Sequence, residues 1–261
     1  MGYINNNTGY REGILENRAI IKRGNFAYIP QDGLVNNSIA GFENMEITIM
    51  STPRLGANFV DYVGKLFPGG GNKQGFGGDG VETFIYCLEG SFTAKADEEA
   101  FELKTGSYLY VPPTKKMYFV NNSKEDARFF LYKKRYQAAD GYEPYVVHNN
   151  IENIEPIKYE DMQDVDLWNL LPSDWDFDMN FHILTFHQGA SHGYVETHFQ
   201  EHGALILEGE GMYNLDNNWM PVEKGDYIFM GAYSLQCAYS VGRKGPLSYL
   251  YSKDANRDVE I

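Results

Sequence analysis

The segment GASHGYVETHFQEHGALILEG, residues 189–209, brings one carboxylate and two imidazoles close together in the chain, at Glu196, His198 and His202. In a β-strand, residues two apart point to the same face, so Glu196 and His198 can face the same side, and His202 can follow after a short turn. Carboxylate and imidazole groups bind divalent metal ions, which activate water or polarise a substrate. We therefore predict a metal site in this segment.

His198, Glu201 and His202 also match the H-x-x-E-H pattern of inverted zinc proteases. That pattern requires a helix, in which residues four apart share a face. Gly203 and the strand-like run ALILEGEG follow directly, which favours strand–turn–strand and predicts that Glu201 faces away from the metal. The remaining histidines stand alone and are expected to be hydrogen-bonded or on the surface. They are His148, His182, His187 and His192.

The sequence SYLYSKDANRD near the C-terminal end of the chain reads as a strand. Alternation along a strand places Tyr249, Tyr251 and Lys253 on one face. A lysine that points into a barrel beside a metal can hold an anionic substrate group or shuttle a proton. The alternative is a solvated lysine on a sheet edge, and alternation alone does not decide between the two.

An internal repeat indicates which structural units position these residues. CLEGSFTAK, which starts at Cys87, resembles ILEGEGMYN, which starts at Ile206, and three anchors share an offset of 119 residues without a gap. A shared offset at three separate anchors indicates a duplicated unit. The same offset makes Lys134 the equivalent of Lys253 in the repeat. The anchors are Gly90 with Gly209, Gly106 with Gly225, and Tyr132 with Tyr251.

Each unit reads as a series of short strands separated by turn residues, which is typical of an antiparallel sandwich or barrel. The predicted fold class is therefore all-β, with two tandem barrels. We expect residues 1–40 to be an irregular extension over a barrel or a neighbouring subunit, and residues 41–140 to form the N-terminal barrel. An acidic linker with a short helix around 159–164 is expected over 141–174, followed by the C-terminal barrel over 175–261.

Composition excludes some classes of function. The formal net charge is −14 and the basic residues are scattered, so the chain lacks the basic face of a nucleic-acid binder. The sequence contains no run of about 18 apolar residues, so it predicts no membrane span. The segment MGYINNNTGYREG does not read as a secretory signal. Cys87 and Cys237 lie among apolar residues and are expected to be buried free thiols, so we expect a cytoplasmic protein.

These motifs resemble those of the cupin superfamily. Glu196 and His198 take the places of the His-x-His pair in its first motif, and His202 takes the place of the following glutamate. In the second motif, which starts at Gly225, Gln236 takes the place of the histidine. The resemblance implies a jelly-roll-type barrel, in which Gln236 comes from a strand that faces the other three ligands. Two imidazoles, a carboxylate and an amide oxygen suit manganese or a related divalent ion.

The N-terminal unit fits the second motif at Gly106, Pro112 and Asn121, but it lacks the ligands. The ungapped register puts Gly77, Asp79, Thr83 and Met117 at the four ligand places. A single possible oxygen ligand, from Asp79, does not make a metal site, so this barrel is expected to be structural.

The strings ETHFQEHGALILEGEGMYNLDNNW and YSKDANRDV, with MGYINNNTGYREGILENRAII and FGGDGVETFIY, resemble the bicupin (S)-ureidoglycine aminohydrolase family over essentially the whole chain. The resemblance implies release of ammonia from (S)-ureidoglycine to give (S)-ureidoglycolate in purine breakdown, after allantoate amidohydrolase. It implies one Mn²⁺ per chain in the C-terminal cupin and assembly into a homo-oligomer. Two other classes remain open: another metal-dependent cupin enzyme, such as an oxygenase or isomerase, and a non-catalytic small-molecule-binding bicupin.

The same resemblance implies a role for each site residue. Glu196, His198, His202 and Gln236 would bind the metal. Tyr249 and Lys253 would contact the substrate. As a mechanistic hypothesis beside the resemblance, we expect Glu196 and Gln236 to contact the substrate as well and to orient the reacting centre, and Glu196 and Lys253 to carry the catalysis.

Overall fold

The computed structural model describes residues 19–254 and 257–259. Within them the regular structure consists of β-strands and three single 3₁₀ turns, at Gln31–Gly33, Ile151–Asn153 and Tyr159–Asp161, so the all-β prediction is confirmed. No helix in the described part of the chain is long and apolar enough to cross a membrane. We expected residues 1–40 to be an irregular extension. Residues 1–18 lie outside the described residues, and residues 19–40 are discussed below with the strands that they form.

The first repeat forms the N-terminal barrel, a single sheet in the order β11-β8-β5-β10-β4-β9-β6-β7, with β3 paired to β4. Its own strands are β3 (Phe42–Ile49), β4 (Phe59–Phe76), β5 (Val81–Glu89), β6 (Ser91–Ala96), β7 (Glu99–Lys104), β8 (Ser107–Val111), β9 (Met117–Val120) and β10 (Ala127–Arg135). The remaining strand is β11 (Val147–Asn150).

The second repeat forms the C-terminal barrel from a sheet in the order β1-β2-β18-β15-β20-β14-β13-β12 and a smaller sheet in the order β17-β16-β19. Its own strands are β14 (Met179–Phe186), β15 (His202–Glu208), β16 (Glu210–Leu215), β17 (Asn218–Glu223), β18 (Tyr227–Met230), β19 (Gln236–Ser240) and β20 (Leu247–Asp254). The flanking strands are β1 (Ile20–Lys22), β2 (Phe26–Ile29), β12 (Ile157–Lys158) and β13 (Val165–Asn169). The order β18-β15-β20-β14 repeats β8-β5-β10-β4, which confirms the duplication.

One difference between the repeats creates room for a site. The long strand β4 runs unbroken from Phe59 to Phe76, whereas its counterpart β14 ends at Phe186. The chain then continues to β15 as an irregular segment. Two isolated bridges tie this segment to β19, Ser191 with Tyr239 and Glu196 with Gln236.

The third repeat anchor, Tyr132 with Tyr251, is wrong. In the N-terminal barrel Leu131 lies opposite Ile85, and in the C-terminal barrel Tyr251 lies opposite Ala204, the residue equivalent to Ile85. Tyr251 therefore occupies the place of Leu131. The connection before the last strand is one residue longer in the second repeat, and a shift of one residue moves every side chain to the other face of a strand.

Lys253 is consequently equivalent to Lys133 and not to Lys134. The Lys133 ammonium lies inside the N-terminal barrel, 5.3 Å from the centre of the Phe76 ring. Lys134 points the other way, between the barrels, where its ammonium contacts Asp178 at 3.2 Å and Asp254 at 2.8 Å.

The segments expected to be an irregular extension and a linker contain paired strands. β2 pairs with β18 and so completes the C-terminal barrel, and the Tyr28 hydroxyl donates to Asp226 at 2.8 Å. β11 pairs with β8 in the N-terminal barrel, and β12 and β13 extend the sheet of the C-terminal barrel. Where a short helix was expected over 159–164, the chain makes one 3₁₀ turn at Tyr159–Asp161. Long-range backbone pairing overrides the weak local pattern in these segments.

Three apolar clusters hold the fold together: one inside each barrel and one between them. Aromatic rings dominate the cluster between the barrels, where Phe84 stacks on Phe181 with ring centres 3.8 Å apart. Stacking of large aromatic surfaces stabilises such an interface beyond its buried area alone. Cys87 and Cys237 are buried free thiols, as expected.

Candidate active site in the C-terminal barrel

The predicted site residues come from four separate segments that meet at one end of the C-terminal barrel. His202 begins β15, Gln236 begins β19 and Lys253 is the last residue but one of β20. Glu196 and His198 lie on the irregular segment between β14 and β15. Backbone hydrogen bonds fix this segment, because the Glu196 N–H donates to the Gln236 carbonyl at 2.9 Å and the Gln236 N–H donates to the Glu196 carbonyl at 3.0 Å.

His198 and His202 face each other, with their Nε2 atoms 3.2 Å apart. The Nδ1 atom of His202 lies 2.7 Å from the Ser252 carbonyl oxygen, and that of His198 lies 3.0 Å from the Gln200 carbonyl oxygen. A carbonyl only accepts, so each Nδ1 carries the proton, and each neutral ring presents an Nε2 lone pair. Two lone pairs aimed at each other repel unless both bind the same cation. A histidine that binds a metal through one ring nitrogen is commonly oriented by a hydrogen bond from its other ring nitrogen, as both Nδ1 atoms make here.

Burial keeps both rings in the neutral form that binds metals. Burial lowers the pKa of His198, and the nearby Lys253 charge lowers it further. Burial also lowers the pKa of His202 well below its usual value, with His198 as the next contribution. Neutral imidazole is the ligand form, so the site does not have to release a proton from either ring before a metal binds.

Gln236 is the third group at this point. It is buried, and its amide end lies 3.0 Å from the Nε2 atom of His198. The two ends of an amide are assigned from hydrogen bonding. With the amide rotated by half a turn, its oxygen faces the same point as the two imidazole lone pairs, which fits a divalent cation.

Glu196 stands at the edge of this group with its carboxylate turned aside. The Tyr159 hydroxyl donates to its Oε2 atom at 3.2 Å, and its Oε1 atom lies 3.5 Å from the Nε2 atom of buried His192. Within residues 19–254 and 257–259, no three His, Cys, Asp or Glu side chains are already grouped closely enough to hold a metal ion. Glu196 must therefore rotate to join His198 and His202.

Burial raises the pKa of the Glu196 carboxyl, while the Tyr159 hydrogen bond and the Lys253 charge oppose that rise. A cation bound beside it would oppose the rise further, because an opposite charge within a few ångströms favours the ionised form.

A narrow cavity of about 10 Å³ lies over these groups. Glu196, His198, His202, Gln236, Tyr249 and Lys253 all line it, so the structure brings the six predicted site residues together. The predicted alternation along β20 is confirmed, because Tyr249, Tyr251 and Lys253 all face this cavity. The rest of its wall is formed by Tyr159, Leu184, Tyr213 and Met230.

Sequence reasoning missed several of these neighbours. Tyr159 belongs to the expected linker, and Tyr213 lies on β16 in a repeat segment to which no site role was assigned. His192 is hydrogen-bonded, as expected, but its burial next to Glu196 was not predicted. The single available signal was its spacing of four residues from Glu196, which carries no meaning for irregular backbone.

The protease pattern has no helix to support it. His198 and Glu201 lie on irregular backbone, and His202 begins a strand. Glu201 turns toward the N-terminal barrel, where its carboxylate accepts the Asn58 backbone N–H at 2.8 Å, and burial raises its pKa to about 7. The expectation that Glu201 faces away from His198 and His202 is confirmed.

The N-terminal barrel has apolar side chains at the equivalent place. Phe76 pairs with Met117 as Glu196 pairs with Gln236, so Phe76, and not Gly77, takes the place of Glu196. Phe76 and Met117 belong to the apolar cluster inside that barrel. Asp79 lies on an exposed turn with a φ of +53°. The register without gaps fails here because one residue fewer separates Glu196 from His202 than separates Phe76 from Thr83.

Comparisons with known proteins agree with this architecture. A family model described as a cupin domain matches residues 67–132. The crystal structure of the Escherichia coli protein Ylba superposes with a TM-score of 0.86 at 58% identity, covering 97% of this chain and 100% of that one. Oxalate decarboxylase from Bacillus subtilis, which has Mn(II) centres, superposes with a TM-score of 0.67 over 92% of this chain and 79% of its own. At 12% identity that likeness concerns the fold alone.

Two relatives carry a functional name. (S)-Ureidoglycine aminohydrolase from Escherichia coli K12 is 61% identical over 261 residues, covering 100% of both chains. A probable (S)-ureidoglycine aminohydrolase from Oryza sativa is 31% identical over 245 residues, covering 94% of this chain and 77% of its own. The chain belongs to the (S)-ureidoglycine aminohydrolase family of cupin proteins.

Proposed function

We propose that the protein hydrolyses (S)-ureidoglycine to (S)-ureidoglycolate and ammonia in the cavity of its C-terminal barrel, with Mn²⁺ held by Glu196, His198, His202 and Gln236. The full-length identity of 61% to an enzyme of that name supports the reaction. The observation that best supports the metal site is the pair of imidazole rings on the wall of this cavity, whose Nε2 atoms face each other 3.2 Å apart.

The donor set supports a divalent ion that accepts mixed nitrogen and oxygen ligands. Two imidazole nitrogens, one carboxylate and one amide oxygen leave coordination positions open, as a catalytic metal requires. A cation bound there would act as a Lewis acid that stabilises negative charge developing on oxygen. Manganese is our choice within this group of ions.

The cavity wall supports binding of a small anion with several polar groups. Lys253 supplies a positive charge, and Tyr249 and Tyr251 supply hydroxyls on the same face of β20. We propose that Lys253, with Tyr249, binds the carboxylate or the ureido group of the substrate. Holding the substrate at two points fixes which face of its α-carbon is open to water. Glu196 and Gln236, which also line the cavity, orient the reacting centre.

The reaction exchanges one bond at the α-carbon. The bond from that carbon to the amino nitrogen breaks, a bond to the oxygen of water forms, and one proton of the water leaves with ammonia. Glu196 is the carboxylate in the cavity that can accept and return this proton. This balance holds whether water adds before ammonia leaves or after it, through an imine.

We further propose a cytoplasmic location and assembly into a homo-oligomer. The two buried free thiols support a reducing compartment. Light scattering coupled to size exclusion tests the assembly, and a mass of one chain, 29.7 kDa, would contradict it.

Ammonia release from freshly generated (S)-ureidoglycine tests the reaction, with product chirality measured in parallel. We expect ammonia and (S)-ureidoglycolate in equal amounts, faster than the spontaneous rate. Release at the spontaneous rate, or a racemic product, would contradict the proposed reaction.

A further inference from the structure

His192 is a buried histidine beside Glu196 that has no role in the function proposed above. It lies on the irregular segment after β14, and its side chain is 0% exposed. The rings of Phe186 and Tyr159 pack edge-on against it, with ring centres 4.7 Å and 5.9 Å away. These contacts hold the imidazole in one orientation.

The hydrogen bond at its Nδ1 atom fixes the tautomer. The backbone N–H of Ala238 donates to this atom at 2.8 Å. A nitrogen that accepts a hydrogen bond carries no proton, so in the neutral ring the proton is on Nε2. His198 and His202 have the opposite tautomer. His192 therefore presents an N–H toward the site where the other two histidines present lone pairs.

The Nε2–H group of His192 lies beside the Glu196 carboxylate. Within the described residues it has no hydrogen-bond partner, and the Oε1 atom of Glu196 lies 3.5 Å away. That separation is longer than a normal hydrogen bond, and a small rotation of the carboxylate closes it. Leaving a buried N–H unsatisfied costs free energy, which favours this closure.

We propose that His192 is a positioning residue that, together with Tyr159, holds the Glu196 carboxylate in the orientation the active site uses. An ionised carboxylate has about four lone-pair sites, so after the rotation that brings it to His198 and His202, Glu196 can accept from both donors and still direct a lone pair at a metal. The inference rests on the proposed function, because it assigns Glu196 to that site.

A double-mutant cycle on Mn²⁺ affinity tests the proposal. Metal-stripped protein is titrated with Mn²⁺ for the unaltered chain, His192→Leu, Glu196→Ala and the double variant. We expect His192→Leu to weaken affinity about 10–100-fold, the usual effect of losing such an outer partner, and to have little further effect once Glu196 is absent. An equal loss in both backgrounds, or no loss in the first, overturns the proposal. His192→Gln keeps a donor and an acceptor, so it should restore most of the affinity.

A measurement without metal separates this inference from the proposed function. Histidine ¹⁵N spectra of the metal-free protein report the tautomer of each ring. We expect the resonance that disappears in His192→Gln to show the Nε2–H form and to shift in Glu196→Ala. An Nδ1–H form, or a resonance indifferent to Glu196, overturns the role of His192. If the unaltered protein binds no Mn²⁺, the proposed metal site is wrong. The spectra then still decide whether His192 contacts Glu196.

Discussion

The Lys134 ammonium lies 2.8 Å from the Asp254 carboxylate, and this contact joins the strand that carries Lys253 to the N-terminal barrel. Lys253 and Asp254 are consecutive, so they face opposite sides of β20. Lys253 lines the cavity, while Asp254 meets Lys134 between the barrels. The N-terminal barrel thus supports the active-site strand although it lacks the predicted ligands itself.

We predict that Lys134→Met destabilises the protein by about 3–5 kcal/mol, because removal of one partner leaves buried charge without compensation. Asp178 and Asp254 would lose their cation, and Glu82 lies in the same buried group. Urea unfolding measures the loss.

Lys133→Met is the matched control for this measurement. The Lys133 ammonium contacts only aromatic rings among the contacts described, so the change should cost less than about 1–2 kcal/mol. Equal losses for the two neighbours would contradict the orientation assigned to β10.

Lys253→Met should lower kcat/KM for (S)-ureidoglycine about 10–100-fold, the equivalent of losing one charge-assisted hydrogen bond of about 1.5–3 kcal/mol. The Mn²⁺ content should not change, because Lys253 is not one of the proposed ligands. Lys133→Met makes the same chemical change in the other barrel and should leave turnover intact. A Lys253→Met enzyme with unaltered kinetics would refute the role of this lysine.

The buried carboxyl of Asp61 should make stability depend on pH. Burial raises its pKa from 3.8 to about 8, opposed by a hydrogen bond from Tyr227. The folded state therefore holds a proton that the unfolded state releases. The stability that Asp61 contributes is fully present below about pH 4 and is lost as the pH rises toward 8.

Asp61→Asn, which mimics the neutral carboxyl, removes this titration. Between pH 4 and 8 the unaltered protein should lose stability relative to the variant by up to about 1.4 kcal/mol per pH unit. Urea unfolding at pH 5, 6, 7 and 8 measures the difference. Parallel curves for the two proteins would show that Asp61 is ionised in the folded state.

Asp79→Ala should leave the Mn²⁺ content unchanged, since Asp79 lies on an exposed turn and the nearby barrel interior is filled by Phe76 and Met117. Metal analysis of the purified variant measures this directly. A loss of metal would place a second site in the N-terminal barrel.

The sequence predicted those features that depend on short spacing within one segment. Two-residue alternation placed Tyr249, Tyr251 and Lys253 on one face of β20, and strand–turn–strand context placed Glu201 away from His198 and His202. Such relations need no knowledge of distant chain. The ligand assignment of Glu196, His198, His202 and Gln236 stays a prediction, although the structure brings all four to one cavity.

Features that depend on pairing between distant segments could not be predicted. The register without gaps paired Lys253 with Lys134, because a single extra residue in a connecting loop is invisible in sequence yet reverses the face of every later side chain. Tyr159 and His192 reach Glu196 from segments whose local pattern predicts nothing. The pairing of β2 with β18 likewise depends on contacts about 200 residues apart in the chain.

Restoration of activity by Mn²⁺ tests the central claim most directly. Metal-stripped protein, with and without added Mn²⁺, is assayed for ammonia release from (S)-ureidoglycine beside His198→Ala and the exposed control His187→Ala. The account predicts that Mn²⁺ restores release in the unaltered protein and in His187→Ala, and that His198→Ala neither binds the metal nor recovers. Full activity in the stripped protein, or in His198→Ala, would contradict a metal-dependent reaction at the C-terminal site.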